Sequence, residues 1–202
     1  MTDGKKLSVN FNRVKAIAAG VALLLCLLML AGCSSMNDAE KKVSKELKAL
    51  KESDSAGKEI MIVRDSLSEE GRENFDGFLK KLRDFDFEIT GSEEGADEDD
   101  DSTVVSVRIK TYAFGREYLA AWTEYLKANP GTKPEELTAF YELLFSRLNS
   151  LDEKEYLKTI QIVCIDPLDN GEWIANIKEN EELQDAVFGG MMSEMEALAA
   201  EQ

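Results

Sequence analysis

The sequence is most regular in Thr103-Val104-Val105-Ser106-Val107-Arg108-Ile109-Lys110-Thr111, which sets the class of fold. Side chains of a strand point to opposite faces in turn, so this alternation predicts a strand over 103–114. The apolar face holds Val105, Val107, Ile109 and Thr111. The polar face holds Ser106, Arg108, Lys110 and Tyr112. We expect the polar face to meet water, with the lining of a cavity as the alternative.

A second strand precedes this one. Phe85, Phe87 and Ile89 alternate with acidic or hydroxyl residues, which is again a strand pattern. The two strands flank a single acidic loop over Gly91–Asp101. We therefore predict that they pair as an antiparallel hairpin.

A second hairpin is predicted near the C-terminus. Strands over Thr159–Asp166 and Glu172–Lys178 flank a turn over Pro167–Gly171, in which Asn-Gly is a strong hairpin signal. Cys164 lies in the first of these strands, and the chain has no histidine to activate it. We predict that Cys164 is a small buried hydrophobic residue and not a nucleophile.

Helices are predicted wherever apolar residues recur three or four positions apart. The predicted helices cover 38–50, 58–67, 70–84, 116–128, 132–148 and 181–187, and a helical tail follows over 191–202. Helices kept apart from antiparallel strands are typical of an α+β fold. We predict one α+β domain over 38–190, with N-terminal helices and an antiparallel sheet of about four strands.

The first 32 residues have the order of a secretory signal: a basic start, an apolar run over 16–31 that is short for a membrane span, and small residues before a cysteine. Leu30-Ala31-Gly32-Cys33 resembles the lipobox of bacterial lipoprotein precursors. The resemblance implies that a diacylglyceryl group is attached to Cys33 and that cleavage follows just before it. The alternatives are a plain cleaved signal or a short membrane helix.

This resemblance implies a cleaved signal peptide over 1–32 and a lipidated tether over 33–37. Two acyl chains hold a protein stably at a membrane, where one chain gives only marginal binding. We therefore expect the domain to be anchored through Cys33 to the outer, extracytoplasmic face of the cell membrane. In the mature chain Cys164 would be the only free thiol, so no intramolecular disulfide is expected.

The domain itself also resembles a known family. The run from Tyr156 to Phe188 has a long strand, an Asn-Gly turn and a tryptophan-containing strand. It resembles the C-terminal end of uncharacterised Gram-positive lipoproteins with a cystatin-like fold, and the strands 87–91 and 104–112 occur in a similar order. The resemblance implies a curved sheet wrapped on helices, as in ketosteroid isomerase and nuclear transport factor two. It carries over no functional residue.

The charge of the chain limits its partners. The full chain has a net charge of −16, and without residues 1–32 it keeps 20 basic and 39 acidic residues, a net charge of −19. Such a domain repels nucleic acid and anionic lipid, so we expect no nucleic-acid partner and attachment by lipid alone. Cationic partners or cations are compatible with this charge, and so is a simple role in solubility.

Most site chemistry is excluded by composition. The absence of histidine excludes histidine triads and histidine zinc sites. The acidic loop residues 93–101 include Asp97, Asp99 and Asp101 at the spacing of a calcium loop, but Ser102 and Arg108 stand where such a loop needs glycine and glutamate. We expect no metal, no cofactor and no catalytic residue, with weak calcium binding as the alternative for this loop.

Two functions remain open from the sequence, beside a structural lipoprotein whose domain only docks to a larger complex. The first is a non-enzymatic module that binds a ligand or a protein at the cell membrane. The second is an envelope enzyme that uses a pocket in a cone-shaped sheet. A deep pocket with an ionisable side chain held away from water would favour the enzyme, and a shallow or filled cone would favour the binding module.

Overall fold

The alternating stretch forms the strand that pairs on both sides. In the computed structural model, which describes residues 36–53, 61–95, 102–130 and 137–200, it is strand β2 (Ser102–Thr111). Strand β1 (Asp86–Glu94) pairs with one side of β2, and β3 (Tyr156–Ile165) pairs with the other. Strand β4 (Ile174–Ala175) follows β3. The sheet has the order β1-β2-β3-β4 and is antiparallel throughout, which confirms the mixed helix-and-sheet class.

Helices precede, interrupt and follow the sheet. In chain order the described residues form α1 (Asp38–Glu52), α2 (Met61–Arg64), α3 (Glu69–Arg83), α4 (Phe114–Ala128), α5 (Thr138–Ser150), α6 (Glu181–Val187) and α7 (Met191–Ala200). Helices α4 and α5 lie between β2 and β3 in the chain and pack against each other. The described residues thus form a meander of four strands with a helical pair inserted at its centre.

The core lies between the inner face of the sheet and the helices. Val105, Val107 and Ile109 of β2 have no exposed surface, as the alternation predicted. Helix α1 presents an apolar stripe to this face, because its buried residues recur every fourth position from Ala39 through Val43 to Leu47. Burial of these apolar side chains is the main term that stabilises the fold.

The residues at the two ends of α3 explain where this helix begins and ends. The Ser68 hydroxyl accepts the Gly71 N–H at 3.0 Å and so caps the first turn. Lysines and an arginine occupy the last turn, where they offset the negative end of the helix dipole. Phe75 and Phe78 are buried on one side, and Phe78 meets the Phe114 ring edge-on with 5.2 Å between ring centroids.

Strand β2 ends at Thr111, three residues before the predicted end at Phe114. The chain bends at Tyr112, whose carbonyl accepts the Phe114 N–H at 2.9 Å, and Phe114 becomes the first residue of α4. The bend turns Tyr112 inward, where 7% of it is exposed and its hydroxyl donates to Asp84 Oδ2 at 3.0 Å. The prediction that Tyr112 shares the polar face is therefore wrong.

Strand β1 runs into the region predicted as an acidic loop. The pairing register with β2 shifts between Ile89 and Gly91, which is the mark of a β-bulge, and the ladder then continues to Glu94 opposite Thr103. The predicted loop over Gly91–Asp101 is therefore wrong at its start. The bulge lets β1 change direction while it stays paired with β2. The alternation of side chains in the sequence does not reveal such a bulge.

The second hairpin differs from its prediction at both strands. Strand β3 begins at Tyr156, ahead of the predicted Thr159. Strand β4 holds two residues instead of the seven predicted over Glu172–Lys178. The Ile177 N–H donates to the Ala175 carbonyl at 2.9 Å, and this tight turn takes the chain out of the ladder.

Several predictions fall wholly or partly outside the described residues. These are the signal peptide 1–32, Cys33 with most of the tether 33–37, the start of the predicted helix 58–67, loop residues 96–101 and the helix opening at 132–136. Of the helix 58–67, the described part is helical only over Met61–Arg64.

Candidate functional site

The inner face of the sheet is filled by side chains. The inward residues of β3, Ile160, Ile162 and Cys164, are at most 1% exposed, and helices α1 and α6 lie against β2 and β3. Burial raises the pKa of the Cys164 thiol to about 11, although Lys42 opposes this slightly. The predicted burial of Cys164 is confirmed, and its thiol stays protonated at neutral pH.

Asp185 is the most highly connected buried carboxylate described. It lies in α6, is 7% exposed, and accepts the Ser193 N–H at 3.0 Å, the Ser193 hydroxyl at 2.8 Å and the Lys158 ammonium at 3.1 Å. Burial raises the pKa of Asp185, but the Ser193 hydrogen bonds and Lys158 outweigh it, so the pKa lies below its usual value. The group joins α6, α7 and β3 as a structural anchor that is ionised at neutral pH.

A second charged cluster lies where α3 meets β1. The Lys154 ammonium contacts Asp84 at 2.9 Å and Asp86 at 3.1 Å, and Asp84 also accepts the Tyr112 hydroxyl. Burial raises the pKa of Asp84, but the hydrogen bonds from Lys154 and Tyr112 outweigh burial. The pKa of Asp84 therefore lies below its usual value. Asp84 and Asp86 are more than half exposed, so we assign this cluster a modest role in stability.

A groove of about 900 Å³ lies between α1 and the strand β4, and we call it the α1 groove. Its lining includes Lys42, Glu46 and Leu50 from α1 and Val163, Ile165 and Ile174 from the sheet. Lys42 and Glu46 form an ion pair at 3.0 Å, so that part of the rim carries balanced charge. The groove is open to solvent and has a mainly apolar lining.

Part of the apolar lining of the α1 groove comes from residues that point away from the core. Val163, Ile165 and Ile174 are 44%, 42% and 54% exposed. Ile165 and Ile174 lie directly opposite each other in the β3–β4 ladder, and Val163 is two residues along the same strand face. Contiguous exposed apolar side chains of this kind make the groove a candidate interaction surface.

A second concavity lies on helix α4. It has a volume of about 810 Å³, and its lining among the described residues comes from a single helix face that includes Arg116, Leu119 and Lys127. The surface is shallow, and Leu119 is 38% exposed. Its described residues offer a ligand contacts from one side, so the α1 groove is the stronger candidate site.

The residues singled out by sequence have mixed outcomes. Arg108 and Lys110 are exposed, as predicted for the polar face, and Arg108 pairs with Glu88 at 3.0 Å. Glu93 and Glu94 of the candidate calcium loop lie in β1, while Asp97, Asp99 and Asp101 lie outside the described residues, as does the lipidation candidate Cys33.

The α1 groove was not predicted, although the sequence carries a signal for it. The run 162–165 is apolar at four successive positions, so it supplies apolar side chains to both faces of β3. A strand that is apolar on both faces is usually covered on both faces. Here the inner face is covered by helices, and the outward residues Val163 and Ile165 stay exposed and belong to the groove lining.

Within the described ranges, no group of three or more acidic or cysteine side chains is arranged to hold a metal ion. No helix of those ranges combines the length and apolar character that crossing a membrane requires. The chain matches no family model, and neither curated proteins nor solved structures give a significant match to it.

Proposed function

We propose that this chain is the precursor of a lipoprotein held on the outer face of the cell membrane, whose domain binds a partner or an apolar ligand without transforming it. The lipid is carried by Cys33 after removal of residues 1–32. Binding takes place in the α1 groove. The observation that carries the binding role is the exposed apolar wall formed by Val163, Ile165 and Ile174.

The support for the anchor is in the sequence. A basic start, an apolar run and small residues lead directly to Cys33, in the order of a lipoprotein signal. The mature domain is strongly acidic and would be repelled by anionic lipid, so it would depend on the lipid for attachment.

Binding is favoured over catalysis because the buried carboxylates Asp185 and Asp166 accept hydrogen bonds from other parts of the fold and lie outside the groove lining. An isomerase-like enzyme would hold an ionisable group away from water beside a cavity. The Asp185 carboxylate accepts three hydrogen bonds, and the buried Asp166 accepts the N–H groups of Asn170 and Gly171 at 3.3 and 2.7 Å. Neither carboxylate lines the α1 groove.

We further propose that the domain is of the cystatin-like type. An N-terminal helix packed on an antiparallel meander supports this assignment. The helical pair α4–α5 would then be an insertion between the second and third strands. A crystal structure in which the sheet does not curve around α1 would contradict the assignment.

The anchor is tested by mass and by labelling. The purified native protein should begin at Cys33 and carry diacylglycerol, and Cys33→Ser should give uncleaved precursor that takes up no radioactive fatty acid. A mature chain that begins at another residue, or a Cys33→Ser variant that still takes up the label, would contradict the proposal.

The binding site is tested by site-specific crosslinking in intact membranes. A photoreactive phenylalanine analogue placed at Ile174 should yield a discrete adduct, identified by mass spectrometry. The matched control is Leu168, which is 74% exposed in the turn outside the groove and should yield none. Equal adducts at both positions, or an adduct at Leu168 alone, would exclude the groove as the binding site.

A further inference from the structure

Strand β3 is paired along its whole length on one side only. All ten of its residues have partners in β2, from Tyr156 opposite Thr111 to Ile165 opposite Ser102. On the other side, only Cys164 and Ile165 have partners, in the short strand β4. Most of β3 is therefore a sheet edge within the part of the chain that the structure describes.

Two hydrogen bonds show which backbone groups point to that edge. The Val163 carbonyl accepts the Asn176 N–H at 3.0 Å, and the Gln161 carbonyl accepts the Asn180 side-chain amide at 2.8 Å. Peptide groups of alternate residues point to the same side of a strand, so Leu157 and Thr159 present theirs there too.

We call residues 157–161 of β3 the open edge. Within the described ranges, the N–H and C=O groups of Leu157 and Thr159 have no hydrogen-bond partner on that side. The Gln161 N–H points the same way. An open edge with these groups in a row is a template for another strand.

The outward side of the open edge carries no charged side chain and no proline, and the inward charge of Lys158 is the one device against pairing in this segment. Edge strands normally carry a proline, a bulge or a charged side chain that keeps other strands away. Its outward side chains are Leu157, which is 61% exposed, with exposed Thr159 and Gln161. The one charged side chain of the segment, Lys158, points to the inner face and is paired with Asp185.

The charge next to the open edge selects the occupant. Asn180, which bonds Gln161, is flanked by exposed Glu179, Glu181 and Glu182, which outnumber the one exposed lysine of this stretch, Lys178. A second copy of this chain would bring the same acidic residues and a net charge of −16 to the contact, which disfavours pairing between copies. A basic strand would be attracted instead.

We propose that the open edge binds an extended basic peptide segment of a partner protein as an additional antiparallel or parallel strand. Main-chain hydrogen bonds to Leu157 and Thr159 hold the segment, and its apolar side chains cover Leu157. Lysine or arginine side chains of the segment face the glutamates at the start of α6. This site borders the α1 groove, with which it shares Glu179, but it uses the backbone of residues 157–161, which do not line the groove, so the inference goes beyond the proposed function.

The test uses the full chain in a nonionic detergent and the acetylated, amidated peptide Lys-Val-Lys-Val-Lys-Val-Lys as the probe. The control peptide has the same sequence with its five central residues N-methylated, which removes the strand-forming donors and keeps the charge. Loss of two or more hydrogen bonds should weaken binding at least about tenfold. Equal affinity for both peptides would show attraction by charge alone and overturn the proposal.

Amide hydrogen exchange locates the peptide without any substitution. The amides of Leu157 and Thr159 should exchange rapidly in the free protein and become protected when the peptide binds. The amides of Lys158 and Ile160, which face β2, should be protected in both states and serve as internal controls. Protection gained only elsewhere in the chain would overturn the assignment to the open edge.

A pair of variants provides the independent check. Leu157→Lys places a positive charge on the open edge and should weaken binding of the basic peptide at least about fivefold. Leu168→Lys adds the same charge at another exposed position and should leave binding unchanged to within about twofold. Equal losses in both variants would mean that the peptide responds to net charge, which would overturn the proposal.

Discussion

Replacing Asp185 with alanine should destabilise the domain more than replacing any exposed carboxylate. The Asp185 side chain is 9% exposed, and its partner Lys158 is 32% exposed. Removing one member of a buried ion pair costs about 3–5 kcal/mol, because the other member is left desolvated. Lys158 keeps part of its hydration, so we expect a loss near the lower limit, about 3 kcal/mol.

The control is Asp76→Ala. The Asp76 carboxylate accepts two hydrogen bonds from Arg64 at 2.9 Å, but its side chain is 45% exposed. Exposed ion pairs contribute about 0–1 kcal/mol. Its loss should therefore be below about 1 kcal/mol, although its hydrogen-bond geometry is as good as that of Asp185.

The effect of Asp185→Ala should depend on pH with a definite sign. The folded-state pKa of Asp185 lies below its value in the unfolded chain, which is about 3.9. The contribution of the carboxylate is therefore complete above the unfolded pKa and is lost as pH falls through the folded pKa. The stability gap between the wild type and the variant should be constant near neutral pH and narrow below about pH 4.

Urea unfolding followed by circular dichroism measures the gap. With a slope of about 2 kcal/mol per molar urea, a loss of 3 kcal/mol lowers the midpoint by about 1.5 M at pH 7. A midpoint shift no larger than that of Asp76→Ala would refute the reasoning. A gap that widens on acidification would refute it as well.

Further predictions concern four other positions. Burial raises the pKa of the Cys164 thiol to about 11, so this thiol should resist a thiol reagent at pH 8 in the folded protein and react fully in guanidinium. Rapid labelling of Cys164 in the folded protein would contradict this. Gly189→Ala should cost more than about 2 kcal/mol, because φ is +56° and a Cβ would lie 2.0 Å from the Tyr112 carbonyl oxygen. Gly171→Ala, at φ +82° with open space around it, should cost only about 1 kcal/mol, and thermal unfolding compares the two. Ser68→Ala should cost about 1 kcal/mol of unfolding free energy by removing the cap of α3, and an unchanged melting temperature would argue against that cap.

Local patterns in the sequence were sufficient to predict most elements. The spacing of Ala39, Val43 and Leu47 predicted helix α1 and its buried side. The predicted helix Glu181–Val187 matches the bounds of α6. In both cases the pattern is set by contacts that each side chain makes with the core, so it is visible along the chain.

Pairing between distant strands left no such local signal. The β2–β3 ladder joins Thr111 to Tyr156, and nothing in either strand identifies the other as its partner. The same limit explains β4, where alternation predicted seven residues but the turn at Ala175–Ile177 ends the ladder after two. It also explains the α1 groove, which depends on how β4 lies beside α1.

The candidate site was visible in the sequence only in part. The two-sided apolar character of 162–165 could have indicated that the outer face of β3 has a partner. The open edge could not, because it exists only where β4 stops short of Leu157. Whether a strand lies at an edge depends on which other strands pair beside it. The residues of the strand itself do not show this.

The pairing of β2 with β3 also affects how the chain reaches its native state. Residues 112–155, 44 in all, must be looped out before these strands meet, compared with the eight residues 95–102 for β1 and β2. Closing the longer loop costs about 1.5 kcal/mol more in chain entropy, unless α4 and α5 first fold into a hairpin that brings its ends together. The helical insert would then act as a folding nucleus that allows β2 and β3 to pair quickly. Slow formation of that insert would prolong the time for which the apolar strands stay unpaired during folding.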